Sequence, residues 1–220
     1  MTTYETKTET LKVGDLALVI RSLKDRQQFH DPDGLCEKAG VSPASWPLFG
    51  VMWPSAVILA DLMMTWPLED LRVLEIGCGL ALGSLVAHHR GADVTASDYH
   101  PLAGSFLEEN LSLNRFEPLP FEISNWSRAN PALGLFDLII GSDILYEPNH
   151  PELVSGFIGR HTKPDATIVI VDPGRREHRK FTRLMAERGY VVEVRQARAE
   201  LAGEIGFKGK ILCYTRAAEL

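Results

Sequence analysis

Short apolar runs alternate with segments of helical periodicity along most of this chain, and the alternation predicts its fold class. Five runs have the length and continuity of buried strands, at residues 72–76, 92–98, 120–123, 136–145 and 166–172. Between them, apolar residues recur at helical spacing, which predicts helices over 81–89, 101–113, 151–160 and 176–188. Nearly continuous apolar strands separated by helices are typical of a mostly parallel sheet with helices on both faces.

The two ends of the chain depart from this alternation. Residues 190–196 and 207–216 are strand-like with no helix between them, which predicts a terminal antiparallel hairpin. Near the N-terminus, two strand-like runs flank a Gly14-Asp15 turn signal, an aperiodic stretch rich in Pro, Gly and Ser covers 31–50, and a helical pattern follows Trp53. We therefore predict an α/β, doubly wound fold with a small N-terminal appendage at 1–52, a candidate lid, and one main domain at 53–220.

Composition and charge narrow the classes of partner. The chain has 220 residues and a net charge of −6, which disfavours a nucleic-acid-binding surface. No apolar run approaches a membrane span, the N-terminus is too polar for a signal peptide, and the three cysteines form no C-x-x-C pair. These features predict a cytoplasmic protein that binds neither nucleic acid nor membrane. The adjacent His88 and His89 lack partners at ligand spacing, so no metal site is predicted.

A glycine-rich turn is the first candidate for chemistry. Residues 74–84 read LEIGCGLALGS and join the first buried strand to the first helix of the alternation. A nucleotide-triphosphate P-loop needs Lys followed by Ser or Thr at its end, and this turn has Leu82, Gly83 and Ser84 there. A dinucleotide fingerprint needs its third glycine at the position of Leu82. The pattern that remains is acid-x-Gly-x-Gly, formed by Glu75, Gly77 and Gly79.

A carboxylate completes this candidate site. Asp98 ends the second predicted strand, where a carboxylate can accept both ribose hydroxyls of an adenosine; standing alone, it would be interpreted as a helix cap or a loop residue. Tyr99 is placed to lie against an adenine. Asn125 and Trp126 follow the third strand and offer the adenine an amide and a ring, although Asn125 also fits a turn and Trp126 a core position.

These residues resemble a known family. Glu75, Gly77 and Gly79 resemble the first motif of the class I S-adenosylmethionine-dependent methyltransferases, many of which carry a third glycine at the position of Ala81. With WPSA at 53–56, ENLSLN at 109–114 and GSDILYEP at 141–148, the chain from 53 to 214 is similar to the seven-strand, family 16 protein-lysine methyltransferases. The resemblance implies a Rossmann-like sheet of five parallel strands followed by an antiparallel hairpin, with S-adenosylmethionine as cofactor.

The resemblance also assigns roles near the reacting atoms. It implies that Trp53 helps to close over the cofactor, and that Asp143 and Tyr146 line the pocket where the substrate amine meets the methyl group. Asp143 would attract the ammonium and hold its N–H groups, while Tyr146 would supply a wall and a hydroxyl acceptor. The alternatives are that Asp143 caps a helix and that Tyr146 only packs under a loop.

A Pro-Gly turn and a basic segment follow the fifth strand. Residues 172–175 are expected to rim the same pocket, although Pro173-Gly174 also fits a plain turn. The basic segment 174–180, continued by Arg183, is typical of a solvated helix face; the alternative is a docking patch for an acidic protein. His100 and His150 lie near the pocket loops without an assigned role.

The function predicted from the sequence is an S-adenosylmethionine-dependent N-methyltransferase whose substrate is a lysine side chain of another protein. One alternative is a small amine or nitrogen heterocycle as substrate, which a lid over the pocket would favour, whereas a groove would favour a protein. Less favoured alternatives are a catalytically silent cofactor-binding module and a nicotinamide oxidoreductase. No feature of the sequence indicates an oligomeric state.

Overall fold

A computed structural model describes residues 4–197 and 208–216. The strands, in chain order, are β1 Thr6–Val13, β2 Leu16–Leu23, β3 Arg72–Ile76, β4 Asp93–Asp98, β5 Phe121–Ile123, β6 Phe136–Ser142, β7 Thr162–Asp172, β8 Tyr190–Gln196 and β9 Lys210–Arg216. The α-helices are α1 Leu35–Ala39, α2 Pro54–Thr65, α3 Leu82–His89, α4 Ala103–Leu113, α5 His150–His161 and α6 His178–Ala186. Short 3-10 helices cover Trp46–Gly50 and Pro131–Leu133.

Seven strands form one twisted sheet in the order β5-β4-β3-β6-β7-β9-β8. The first five of these run parallel to one another, and β9 runs antiparallel to both β7 and β8. The predicted doubly wound sheet with a terminal hairpin is confirmed. The hairpin is inserted so that its second strand, not its first, pairs with β7. Phe207, the first residue of the predicted last strand, lies outside the described residues.

Helices cover both faces of this sheet, as predicted. Side chains that alternate along β3 point to opposite faces, with Val73 in a core beneath α2, α3 and α4, and Leu74 in a core beneath α5 and α6. The strand order reverses next to β3, because β4 and β5 continue to one side of it and β6 and β7 to the other. At such a reversal the loops at the carboxyl ends of the strands diverge and leave room for a ligand.

The N-terminal hairpin β1–β2 forms a separate two-stranded sheet attached to α4. Two asparagines hold the outer edge of β2: Asn110 within α4, and Asn114 at the end of this helix. The Asn110 Oδ1 accepts the Arg21 N–H at 2.7 Å, and the Asn114 Oδ1 accepts the Val19 N–H at 2.8 Å. Both side-chain amides donate back to the carbonyl groups of the same two residues. The ENLSLN segment therefore contributes to the attachment of the hairpin.

Several boundaries differ from the prediction. Residues 31–50 contain α1 and the 3-10 helix Trp46–Gly50, which are too short to show a periodic pattern. β6 ends at Ser142 because Asp143 adopts a positive φ of 52°. β7 begins at Thr162, four residues earlier than predicted, across a register shift opposite Phe136 and Leu138.

The membrane prediction also needs a correction, because one segment has the length and composition of a membrane span. Trp46–Thr65 is 20 residues long and apolar enough for a span, but 56% of an 18-residue stretch within it is buried inside the protein. It is a 3-10 helix and α2 separated at Val51, whose backbone is extended (φ −105°, ψ 138°). Apolar residues of α2 such as Leu59 and Met63 lie in the core. The segment is therefore a core element whose composition resembles a span.

Candidate functional site

A cavity of about 860 Å³ lies at the carboxyl ends of β3, β4 and β6, and we call it the central cavity. Its volume falls in the range of about 300–1,000 Å³ that small-molecule sites occupy. Its lining includes most of the residues that the sequence singled out: Trp53, Gly77, Gly79, Asp98, Tyr99, Asn125, Trp126, Asp143 and Tyr146. Glu75 and Ala81 are not part of the lining. The fold thus brings the cofactor-binding candidates together with Asp143 and Tyr146, although the two groups are distant in sequence.

The glycine turn forms the floor of the central cavity and leaves no room for side chains. Gly77 and Gly79 have φ values of 59° and 54°, in the left-handed region that favours glycine. A Cβ on Gly77 would lie 2.8 Å from the Ile144 Cγ2, and a Cβ on Gly79 would lie 2.9 Å from the Phe49 carbonyl oxygen. Both glycines are therefore required by the close approach of neighbouring walls as well as by their backbone conformation.

Asp98 connects the glycine turn to the end of β4. One carboxylate oxygen accepts the Gly79 N–H and the other accepts the His100 N–H, each at 2.8 Å. Burial raises the pKa of Asp98, and the two backbone N–H groups act against that rise. Since each carboxylate oxygen has two lone pairs, both oxygens keep acceptor capacity toward the cavity. This capacity suits a ligand with paired hydroxyl groups.

Glu75 and Ala81 lie beneath the turn. The fully buried Glu75 carboxylate accepts both the backbone N–H and the hydroxyl of Ser84 at 2.6 Å, so it holds the first turn of α3. Burial raises its pKa to about 7, and the hydrogen bonds from Ser84 limit the rise. Ala81 precedes α3 in the left-handed conformation, with φ 56° and no exposed surface. Both residues shape the turn from below and do not reach the cavity wall.

Aromatic and amide side chains form a second wall. Trp126 and Tyr146 both contact His150 edge-to-face, with ring centres 5.3 and 4.5 Å apart, respectively. The Asn125 Oδ1 accepts the backbone N–H and hydroxyl of Ser127, so the residue does build a turn. Its NH₂ group makes no hydrogen bond within the described ranges. Asn125 is therefore able to donate into the cavity while its oxygen holds the turn.

His150 is a site residue to which sequence reasoning assigned no role. Its Nδ1–H donates to the Ile144 carbonyl oxygen at 2.8 Å, and burial lowers its pKa. These interactions favour a neutral ring that orients Trp126 and Tyr146. The available signal was its position four residues after Tyr146, at the start of the helix that follows β6.

The N-terminal segment, which here means residues 40–53 between α1 and α2, supplies the third wall of the central cavity. The sequence did not predict this wall in detail. Phe49 stacks on His100 with ring centres 3.9 Å apart, and burial lowers the His100 pKa to about 4. The Trp53 indole N–H donates to the Leu48 carbonyl oxygen at 2.9 Å. A Cβ on Gly40 would lie 2.8 Å from the Tyr99 hydroxyl. The segment is thus closely packed against Tyr99 and His100, the two residues that follow Asp98.

Asp143 is paired with an arginine from the next strand end. The Arg175 Nε–H and Nη2–H donate to the two Asp143 carboxylate oxygens at 2.6 and 2.9 Å. The Asp172 Oδ1 accepts the Gly174 and Arg175 backbone N–H groups, so the turn after β7 presents this guanidinium. Residues 172–175 therefore form a turn, and of these four residues only Arg175 lines the central cavity.

A second cavity of about 480 Å³ adjoins the central cavity, and we call it the vestibule. Its lining consists of Arg26, Trp53, Pro54, Ser55, Asp143 and residues 173–177. Trp53, Asp143 and Arg175 line both cavities and therefore form the partition between them. Arg26, Gly174 and Arg176 are exposed, which places the vestibule at the protein surface. A surface opening thus leads to Asp143 beside a deeper cavity.

Several known proteins share part of this sequence. The electron transfer flavoprotein beta subunit lysine methyltransferase of Xenopus laevis is 29% identical over 143 residues, which cover 63% of this chain and 57% of that protein. The histone-arginine methyltransferase METTL23 of Xenopus laevis is 34% identical over 106 residues, 44% of each protein. The chain aligns with about half of the length of these relatives.

A solved structure and a family profile complete the comparison. The magnesium protoporphyrin IX methyltransferase ChlM from Synechocystis PCC 6803, solved with bound SAM, has a TM-score of 0.59 at 15% identity. The match covers 88% of this chain and 89% of ChlM and shows a shared fold. The profile of the lysine methyltransferase family matches residues 48–188. Because this match spans more than half of the sequence, the chain belongs to the lysine methyltransferase family of S-adenosylmethionine-dependent enzymes.

Proposed function

We propose that this protein transfers a methyl group from S-adenosylmethionine to the side-chain nitrogen of a lysine in another protein. The observation that carries the proposal is the partition at Asp143. There, a cavity of cofactor size and a surface vestibule meet. A donor on one side and an acceptor on the other can react only where the two spaces join. This arrangement also keeps the donor away from bulk water.

The central cavity fits the cofactor in size and in the chemistry of its lining. The backbone of Gly77 and Gly79 would pass beneath the ligand, and Asp98 would accept its ribose hydroxyls. The Asn125 amide would donate to the adenine, with Tyr99 and Trp126 as flat neighbours. S-adenosylmethionine supplies an electrophilic methyl group on a sulfonium when bound. The remaining requirement, which the protein must meet, is an aligned and unprotonated amine.

The pairing of Asp143 with Arg175 adjusts the electrostatics of that amine. A carboxylate alone beside a lysine favours the ammonium form and raises a pKa that is already about 10.4 in water. The guanidinium offsets the negative charge, while the carboxylate oxygens keep lone pairs for the amine N–H groups. Asp143 can therefore orient the amine without holding its proton. This assigns Arg175 a part that the sequence did not reveal.

Tyr146 supplies a wall of the acceptor site. Burial is the largest cause that raises the pKa of its hydroxyl, to about 12, so the hydroxyl remains protonated at neutral pH. A protonated phenol can donate one hydrogen bond and accept others, but it does not serve as a general base. The expected contribution of Tyr146 is to orient the amine and exclude water.

The experiment is transfer of labelled methyl groups from S-adenosylmethionine to the proteins of a cell extract, followed by acid hydrolysis and separation of methylated amino acids. We expect label in methyl-lysine, and no label with the Asp143→Ala variant. Circular dichroism of the variant controls for folding. Label confined to small molecules would favour a small amine as the substrate. Label in methyl-arginine would favour an arginine side chain, the residue in the name of the histone-arginine methyltransferase METTL23. Either result would overturn the lysine proposal.

We also propose a cytoplasmic location. Cys36, Cys78 and Cys213 are all free thiols, and the first two are buried. Reduced cysteines suit a reducing compartment. Imaging of the tagged protein together with markers for each compartment tests this location.

A further inference from the structure

The charges of the vestibule differ from those of the whole protein. The chain has a net charge of −6, yet three arginines and two carboxylates line the vestibule. Arg175 and Asp143 pair with each other. The other charged residues of the lining are Arg26, Arg176 and Glu177. Arg26 lies over the Trp53 ring, with its Cζ 5.3 Å from the ring centre. Neither Arg26 nor Arg176 forms an ion pair among the described residues.

A vestibule with this excess of positive charge repels an isolated cation. A free amine at neutral pH carries one positive charge and no compensating group, so it gains nothing from Arg26 or Arg176. A polypeptide can bring its own carboxylates next to the lysine. These would pair with the two arginines while the lysine side chain extends to the partition. The charge pattern therefore distinguishes between the acceptors that the sequence left open.

We propose that the vestibule selects lysines flanked by acidic residues, with Arg26 and Arg176 as the specificity-determining side chains. This inference rests on the proposed function and adds the substrate class to it. The basic segment noted in the sequence begins at the vestibule and runs on along α6. Arg179 and Arg183 lie farther along this helix and do not line the vestibule, and Lys180 is paired with Glu152. The interpretation as a docking patch for an acidic protein thus applies to the start of this segment, where it meets the vestibule.

The test compares two fluorescent peptides with the full-length protein. Both contain one central lysine, which is flanked on each side by glutamate in one peptide and by glutamine in the other. An exposed ion pair is worth up to about 1 kcal/mol, or about fivefold. We therefore expect kcat/KM to be about fivefold or more higher for the glutamate peptide. The preference should shrink as salt rises from about 0.05 to about 0.5 M, because exposed charges are screened.

Variants assign the preference to the vestibule. Arg26→Gln and Arg176→Gln should each lower the preference severalfold, and together they should bring the ratio close to one. The loss should fall on the glutamate peptide, whose kcat/KM should approach that of the glutamine peptide. Arg179→Gln is the matched control, because Arg179 lies on α6 and is not part of the vestibule lining. It should keep the full preference.

Two readouts separate this inference from the proposed function. Equal methylation of both peptides, or an unchanged preference in the double variant, overturns the inference and leaves lysine methylation intact. If neither peptide is methylated, the result counts against the proposed function. In that case, fluorescence anisotropy of the same peptides still decides the inference. Tighter binding of the glutamate peptide that depends on Arg26 and Arg176 supports it, and equal binding overturns it.

Discussion

At the scale of single residues, two carboxylates near strand ends acquire different tasks from their surroundings. Glu75 is sealed under α3 and holds Ser84, while Asp98 connects the glycine turn to β4 and keeps acceptor capacity toward the cavity. The sequence placed both among the cofactor-binding candidates, because both belong to the motif pattern. Their roles in cofactor binding stay predictions. The structure separates a residue that shapes the turn from one that faces the ligand space.

We expect Gly79→Ala to weaken cofactor binding and to destabilise the fold. The new Cβ would lie 2.9 Å from the Phe49 carbonyl oxygen, in addition to the left-handed backbone at φ 54°. The matched control is Gly34→Ala, with φ 62° and no atom within 4 Å of the new Cβ. The control should lose about 1–2 kcal/mol from backbone strain alone. Urea unfolding and calorimetry with S-adenosylhomocysteine measure both effects, and equal losses would argue against the close contact.

Removal of the Arg175 charge should shift the pH dependence of methylation. In Arg175→Met the uncompensated Asp143 carboxylate favours the ammonium form of the bound lysine. The rising limb of kcat, which reports pKa values in the enzyme–substrate complex, should therefore move about one pH unit or more to the alkaline side. Arg175→Lys keeps the positive charge and should retain most of the wild-type profile. A profile of Arg175→Met that superposes on the wild type would refute this electrostatic role.

At the scale of elements, the N-terminal hairpin depends on α4 for its attachment. Asn110 and Asn114 lie one helical turn apart, so their side chains reach Arg21 and Val19, which are alternate residues along the edge of β2. The segment after the hairpin then provides one wall of the central cavity through Phe49. The division into an appendage at 1–52 and a main domain at 53–220 stays a prediction. These contacts suggest that the two parts unfold together.

Substitution of Asn110 tests that coupling. Asn110→Ala removes two hydrogen bonds to Arg21 and leaves backbone groups without partners, which costs about 1–3 kcal/mol of unfolding free energy. Ser112→Ala, at an exposed position of the same helix, should change stability by less than about 0.5 kcal/mol. Denaturant unfolding followed by circular dichroism measures both. A separate early transition in the wild-type protein would contradict cooperative unfolding of the hairpin.

At the scale of the whole molecule, the central cavity is bordered by segments that are distant in sequence. The glycine turn, the Asp98 loop, the end of β6 and the N-terminal segment each supply a wall. A ligand that contacts all four favours the state in which they are assembled. Binding to the folded state alone raises the free energy of unfolding by about 2.7 kcal/mol at a hundredfold excess over Kd.

S-adenosylhomocysteine should therefore stabilise the entire protein. At about a hundredfold excess over its Kd, we expect Tm to rise by about 5–10 °C, the shift for a domain of this size. Asp98→Asn should lose most of this rise, because the new side-chain NH₂ replaces one of the acceptor oxygens. Differential scanning calorimetry measures both proteins. An equal rise in Asp98→Asn would show that Asp98 does not face the ligand.

The sequence by itself determined the alternation of strands and helices, the terminal hairpin and the glycine turn before α3. These features depend on neighbours along the chain, because apolar spacing and backbone conformation are local properties. Only the tertiary structure decided which surfaces meet. It inserted β9 between β7 and β8, brought Arg175 to Asp143, and placed Phe49 over the glycine turn. Burial and charge pairing arise from contacts between distant segments, and no local pattern records them.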